Sequence, residues 1–101
     1  MKLIPFPVTD NDYWLSLPID GLTAHAVTIA MRQYTPLFLA TSGLQGIMST
    51  VARKRGHRCQ YCDKRRVSRL FLIFRPEDNA RLTGFVVCET CADQMKQDVT
   101  D

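Results

Sequence analysis

The chain has 101 residues, 46% of them hydrophobic, and a net charge of only +3. That length suits one domain, or a small helical part joined to a second module, and a metal clip would strengthen so small a core. The opening residues lack an apolar run of signal-peptide length and no apolar stretch is long enough to span a bilayer, so a cytosolic protein with reduced cysteines is expected.

Residues 1–21 read as an extended arm. Pro5, Pro7 and Pro18 disfavour helix, and Thr9-Asp-Asn-Asp12 has turn chemistry. Phe6, Tyr13, Trp14 and Leu17 would cap a core or meet a partner, and core packing is the favoured use. Residues 22–56 read as a helical part. Leu22 to Tyr34 carries Ala24, Val27, Met31 and Tyr34 on one side, with His25, Thr28 and Arg32 as a polar stripe. The alternation of Val27, Ile29 and Met31 also suits a strand. Thr35-Pro36 restarts the chain as helix cap and first helical residue, giving a short turn through Ala40.

Ser42-Gly-Leu-Gln45 is a capping box, because Ser42 can bond the backbone at Gln45 while Gln45 reaches back. Leu44, Ile47, Met48, Val51 and Ala52 then recur at helical spacing. Arg53, Lys54 and Arg55 suit the negative end of the helix dipole, and Gly56 supplies the stop.

Residues 57–101 carry the chemistry. Cys59-Gln-Tyr-Cys62 and Cys88-Glu-Thr-Cys91 use all four cysteines. Each pair offers two thiolates from one tight turn, and two pairs complete a tetrahedral site. Cys59, Cys62, Cys88 and Cys91 are therefore predicted to hold one structural Zn2+. A redox CxxC has no need of a second matching pair; iron–sulfur ligation by the same cysteines is the other alternative. His57 is expected on the surface or behind the ligands, since four thiolates already saturate the metal. His25 is expected on a helix surface.

Between the pairs, Val67 to Phe74 reads as a strand, Pro76-Glu-Asp-Asn79 as a turn and Leu82 to Val87 as the return strand. Ala92 to Val99 has the composition of a short terminal helix. The predicted fold class is α+β: a small helical N-terminal part joined to a treble clef of knuckle, β-hairpin, knuckle and helix. The 25 residues between the pairs exceed a ribbon spacing of about 15–20, and the hairpin absorbs the excess.

A coordination sphere filled by four thiolates leaves no position for a catalytic water, so no enzyme is expected. Treble clefs also carry HNH-type nuclease sites, but these need histidines in the hairpin and final helix, and residues 63–101 contain none. No glycine-rich phosphate loop follows a strand.

Taken together, Cys59-Gln-Tyr-Cys62-Asp-Lys, Val67-Ser-Arg-Leu70 before Pro76, and Phe85-Val-Val-Cys88-Glu-Thr-Cys91-Ala-Asp resemble the N-terminal zinc-binding domain of the ClpX unfoldase family. The resemblance spans about two-fifths of the chain. It implies a treble-clef zinc site with four cysteine ligands, dimerisation and the docking of adaptors and substrates, with the four cysteines as the residues that carry over. The longer hairpin, the basic knuckle and the helical N-terminal half depart from that family.

Charge is distributed unevenly. Residues 1–52 set Lys2 and Arg32 against Asp10, Asp12 and Asp20, leaving −1. Residues 53–69 set Arg53, Lys54, Arg55, Arg58, Lys64, Arg65, Arg66 and Arg69 against Asp63, leaving +7, and residues 70–101 come to −3. The eight cations form a candidate polyanion-binding face that would contact phosphates. Gln45, Ser49 and Arg53 on the preceding helix could face a groove, although a full helix-turn-helix is disfavoured by its poorly defined first helix and turn.

The competing use is neutralisation of a zinc tetrathiolate, formally −2, and of a helix C-terminus. Eight cations exceed what those two tasks need. Two functional readings follow. One is a non-enzymatic, zinc-stabilised module that engages nucleic acid or a nucleoprotein complex. The other is a protein-only adaptor or inhibitor that docks an acidic protein surface, in the manner of phage anti-defence proteins.

Overall fold

The central strand explains the rest of the architecture. Residues 69–75 read Arg-Leu-Phe-Leu-Ile-Phe-Arg, a continuous apolar run without alternation. Such a run suits a strand covered on both faces. The computed structural model describes residues 2–34, 42–77 and 81–100. Its elements in chain order are β1 (Tyr13–Pro18), α1 (Ala24–Tyr34), α2 (Ser42–Lys54), β2 (Arg69–Arg75), β3 (Arg81–Val87) and α3 (Glu89–Thr100). The fold is α+β, with three helices and one three-stranded antiparallel sheet among the described residues.

β2 lies between β1 and β3. Trp14 is opposite Ile73 and Leu17 opposite Leu70, while Phe85 is opposite Phe71 and Val86 opposite Leu70. Leu70, Leu72 and Phe74 point to one face, where they meet Val27 and Met31 of α1 and Leu44 and Val51 of α2. Phe71 and Ile73 point to the other face, against Ala92 and Met95 of α3, Ile4, and the sulfurs of Cys59, Cys88 and Cys91. Trp14 stacks on Phe71 with ring centroids 5.4 Å apart. A Cβ at Gly84 would meet the Ile47 side chain at 3.1–3.3 Å, so glycine there lets α2 lie close on β3.

Residues of the expected arm extend this sheet. β1 pairs along β2, and Phe6 and Trp14 pack on one cluster and Leu17 on the other. Tyr13 is the more exposed of the four aromatic and apolar residues singled out there. α1 begins at Ala24 rather than Leu22, with Thr23 as its cap: the Thr23 hydroxyl accepts from the Ala26 N–H at 3.1 Å. Val27 and Met31 are fully buried and Ile29 is 47% exposed, which is helical spacing and not the alternation of a strand. Ala24 and Ala52 are exposed instead of joining the apolar stripes; each sits off the buried face of its helix.

The helix stop at Gly56 takes a positive φ of 83°, where a side chain would be strained. β2 starts at Arg69 because Val67 is spent in the knuckle, its N–H bonding His57 O at 2.9 Å. α3 starts at Glu89, inside the second cysteine pair, rather than at Ala92. The expected turn through residues 35–40, the Ser42 side chain of the capping box and Asp78–Asn79 of the expected turn lie outside the described residues. Among those described, no helix is long and apolar enough to cross a membrane.

Two carboxylates fasten the N-terminal segment to the sheet and to α3. Arg75 grips Asp12 through two bonds of 2.9 and 2.8 Å and also donates to Pro7 O at 2.6 Å, while Phe6 lies beneath its guanidinium. The buried Asp98 carboxylate accepts from the Leu3 N–H at 2.7 Å, the Ile4 N–H at 3.4 Å and the Gln94 amide at 3.2 Å. The bonds from Arg75 hold the Asp12 carboxyl below its ordinary range. Burial pushes Asp98 up, but the Leu3 N–H, the Gln94 amide and the Ile4 N–H together outweigh it and leave the group lowered.

A carboxyl with a depressed folded pKa stabilises the fold above its unfolded value, about 3.9, and does so less as pH falls through the folded value. The N-terminal segment is therefore expected to stay attached at neutral pH and to loosen below about pH 3.9. Asp98→Asn is expected to cost about 1–3 kcal/mol at neutral pH, read as a lower denaturant midpoint with an unchanged slope. It should also weaken the acid-side loss of stability.

Candidate metal centre and its basic surround

The first cysteine pair sits in a small hairpin of its own. Cys59 N donates to Arg65 O at 2.7 Å, Val67 N to His57 O at 2.9 Å, and Arg58 bridges Arg66 across the two arms. The turn closes when Asp63 N reaches Cys59 O at 2.8 Å. Asp63 takes a φ of +53°, a left-handed conformation that Asp tolerates better than most residues. The second pair is built differently. Cys88 lies between the end of β3 and the start of α3, and its sulfur accepts the Cys91 N–H at 3.4 Å as a capping group would. The positive end of the α3 dipole thus faces the sulfurs.

β3 carries Cys88 back to the knuckle, and all four Sγ atoms lie within 4.8 Å of one another. Cys59 and Cys91 are 3.6 Å apart at sulfur, and Cys62 and Cys88 3.5 Å. A tetrahedral ion with bonds of about 2.3 Å to sulfur needs sulfurs about 3.8 Å apart. A disulfide needs about 2.05 Å, and all four cysteines are free. The four are positioned to coordinate one metal ion. Among the described residues, this metal-capable group consists of the four cysteines, so His57 is outside it.

The backbone prepares the sulfurs unequally. The N–H groups of Lys64 and Arg65 pull the Cys62 thiol down to about 6. Burial raises Cys59, but the N–H groups of Cys88, Cys62 and Tyr61 outweigh it and leave the thiol lowered. Burial pushes Cys88 up, and burial with the neighbouring Cys59 and Cys88 sulfurs pushes Cys91 up strongly. Four sulfurs this close carry four negative charges only when a cation sits among them.

The predicted cations divide into distinct groups. Arg69 lies half-buried across the sheet, donating to Ser16 Oγ at 3.1 Å and Ser16 O at 3.0 Å. Arg55 reaches Ile19 O at 3.0 Å. Both tie α2 and β2 to the residues around β1. Arg53 and Lys54 lie in the last turn of α2. Arg58 donates to Asp63 O at 3.2 Å, Arg65 to Thr90 Oγ1 and Arg66 to Gly56 O. Among the described residues none of the eight pairs with a carboxylate; the ion pairs there are Arg75–Asp12 and Lys96–Asp93. Arg58, Lys64 and Arg66 line one open depression of about 380 Å³ with Gly56 and His57.

Two features of the site escape a sequence reading confined to cysteines and charge. Thr90 holds Arg65 on the first turn of α3, a placement implied once the second pair opens a helix. Tyr61, between the first two cysteines, is 37% exposed. Sulfurs at positions 59 and 62 that converge on one point leave the two residues between them facing outward. Comparison with known protein families, curated proteins and solved structures returns no match to this chain.

Native mass spectrometry is expected to find one divalent ion per chain, and Cys59→Ser or Cys88→Ser to abolish stable loading. Chelation should release amide protection first in residues 57–67 and the first turn of α3, and later in β2 and β3. A metal-free chain with the knuckle still protected would contradict the site.

Proposed function

We propose that this chain is a non-enzymatic, zinc-stabilised module of treble-clef type that binds nucleic acid through the basic face of its first knuckle. The order of knuckle, β2–β3 hairpin and helix with the second cysteine pair at its start supports the treble clef. Four soft thiolates around one point favour zinc over the hard cations, and they fill its coordination sphere. With no open position, the ion clips structure together and activates no water.

The observation that carries the reading is the set of cations around the knuckle that have no carboxylate partner among the described residues. A zinc tetrathiolate, formally −2, offsets only part of the +7 carried by residues 53–69. Arg69 and Arg55 serve the fold and Arg53 and Lys54 stand in the last turn of α2, which leaves Arg58, Lys64, Arg65 and Arg66 as the phosphate-facing set on the knuckle. The bonds of the three arginines go to carbonyls and a hydroxyl, which fix their position without cancelling their charge. Fixed, unneutralised cations on a small rigid turn suit a polyphosphate chain.

Fluorescence anisotropy with a labelled oligonucleotide tests this. Contact with about four phosphates gives a roughly 50-fold loss of single-strand affinity between about 50 and 200 mM salt. Arg58→Glu with Lys64→Glu is expected to abolish binding while leaving the metal bound. Affinity indifferent to salt and to this charge reversal would overturn the reading. Capture of an acidic protein from nuclease-treated extract by the same face would favour protein docking instead.

A further inference from the structure

The basic face includes one residue that charge alone does not account for. Tyr61 belongs to neither apolar cluster of the core and is 37% exposed. It lies within the turn between Cys59 and Cys62, which the Asp63 N–H closes on Cys59 O at 2.8 Å. The base of its side chain is therefore carried by the same closed turn whose sulfurs are positioned to hold the metal. Tyr13, another exposed aromatic residue, leans on Phe74 at 6.4 Å and extends the sheet core. Tyr61 has no comparable part in the packing among the described residues.

Its surroundings specify what it can take. Arg58 and Lys64 stand three positions before and after it, one on each arm of the knuckle. The Arg58 guanidinium crosses the turn to Asp63 O at 3.2 Å, which brings its charge beside the segment that carries the ring. Both cations are exposed and neither meets a carboxylate among the described residues. An aromatic plane flanked by exposed cations matches one stacked base flanked by phosphates. In a duplex the base faces are already stacked on one another, and entering that stack carries an unstacking cost that an unpaired base does not.

We propose that Tyr61 is a stacking platform for an unpaired base, which makes the knuckle a site for single-stranded nucleic acid. The inference rests on the nucleic-acid reading of the basic face and narrows it to a substrate class. Binding energy is then divided: Arg58 and Lys64 supply salt-dependent attraction to any polyphosphate, and Tyr61 adds a contribution that requires a base.

The test uses the full zinc-loaded chain and three fluorescein-labelled probes of about 12 nucleotides: a single strand, the matching duplex and an abasic strand. Tyr61→Ala is expected to weaken the single strand roughly 5- to 150-fold and to leave the abasic strand nearly unchanged. Tyr61→Phe should retain single-strand affinity, and the native chain should prefer the single strand to the duplex. Zinc content and thermal midpoint, measured for each variant, establish that the knuckle is intact.

Equal loss on the single and abasic strands would assign Tyr61 to the structure of the turn and overturn the proposal. So would a native chain that binds duplex as tightly, which would favour the exposed Gln45, Ser49 and Arg53 of α2 as a groove reader. If Tyr61→Ala binds like the native chain while Arg58→Glu with Lys64→Glu does not bind, stacking is refuted and the basic face stands. If neither variant alters binding, both readings fall.

Discussion

Four sulfurs within 4.8 Å of one another form the constraint on which the rest of this structure turns. As thiolates they repel; as thiols they leave the knuckle without a reason to stay closed. One cation among them would resolve the conflict and join two pieces of chain, the turn at residues 59–62 and the entry to α3. The two are separated by 25 residues, and the β2–β3 hairpin occupies most of that interval. Closing the site therefore also fixes where the hairpin begins and ends. Cys59, Cys88 and Cys91 are buried in the same cluster as Phe71, Ile73 and Met95, so the site is continuous with the core beneath α3.

That continuity extends to the other half of the chain through β2. Its odd-numbered apolar residues face α3 and the sulfurs, its even-numbered ones face α1 and α2, and β1 pairs along its free side. A small protein with two thin cores gains from a shared central strand, because each core is then held against a surface the other stabilises. Arg69 and Arg55 strengthen this coupling from the side: each anchors to the backbone around β1 while belonging to the basic stretch by sequence. Charge position along a sequence and charge position in space are different quantities here.

This difference marks what the sequence made legible and what it did not. The cysteine spacing pointed to the four-sulfur cluster because ligand spacing is a local property of tight turns. The helical repeat of Leu44, Ile47, Met48 and Val51 marked α2, and the apolar run from Leu70 to Phe74 marked β2, for the same reason. β1 was hidden. Its sequence, Tyr-Trp-Leu-Ser-Leu-Pro, sits among prolines, and the strand that pairs with it lies 53 residues away at the Ser16–Arg69 contact. The Asp98 anchor for Leu3 joins residues 95 apart and has no local signature. Among the cations, sequence supplied the number but not the division between those that brace the sheet and those that stand free of carboxylates. Tyr61 was visible only once the turn had a geometry, since its exposure follows from where the flanking sulfurs point.

On the proposed reading, a metal-clipped turn with exposed cations and one outward aromatic leaves little to be ordered when a flexible chain arrives. A metal held by the four cysteines would supply that rigidity, so the identity of its ligand shell is the foundation of the account. X-ray absorption at the zinc edge of the purified chain measures it directly. The account predicts a single shell of four sulfurs at about 2.3 Å. A shell that includes nitrogen or oxygen ligands, or a chain that carries no zinc and pairs its cysteines as disulfides, would contradict it.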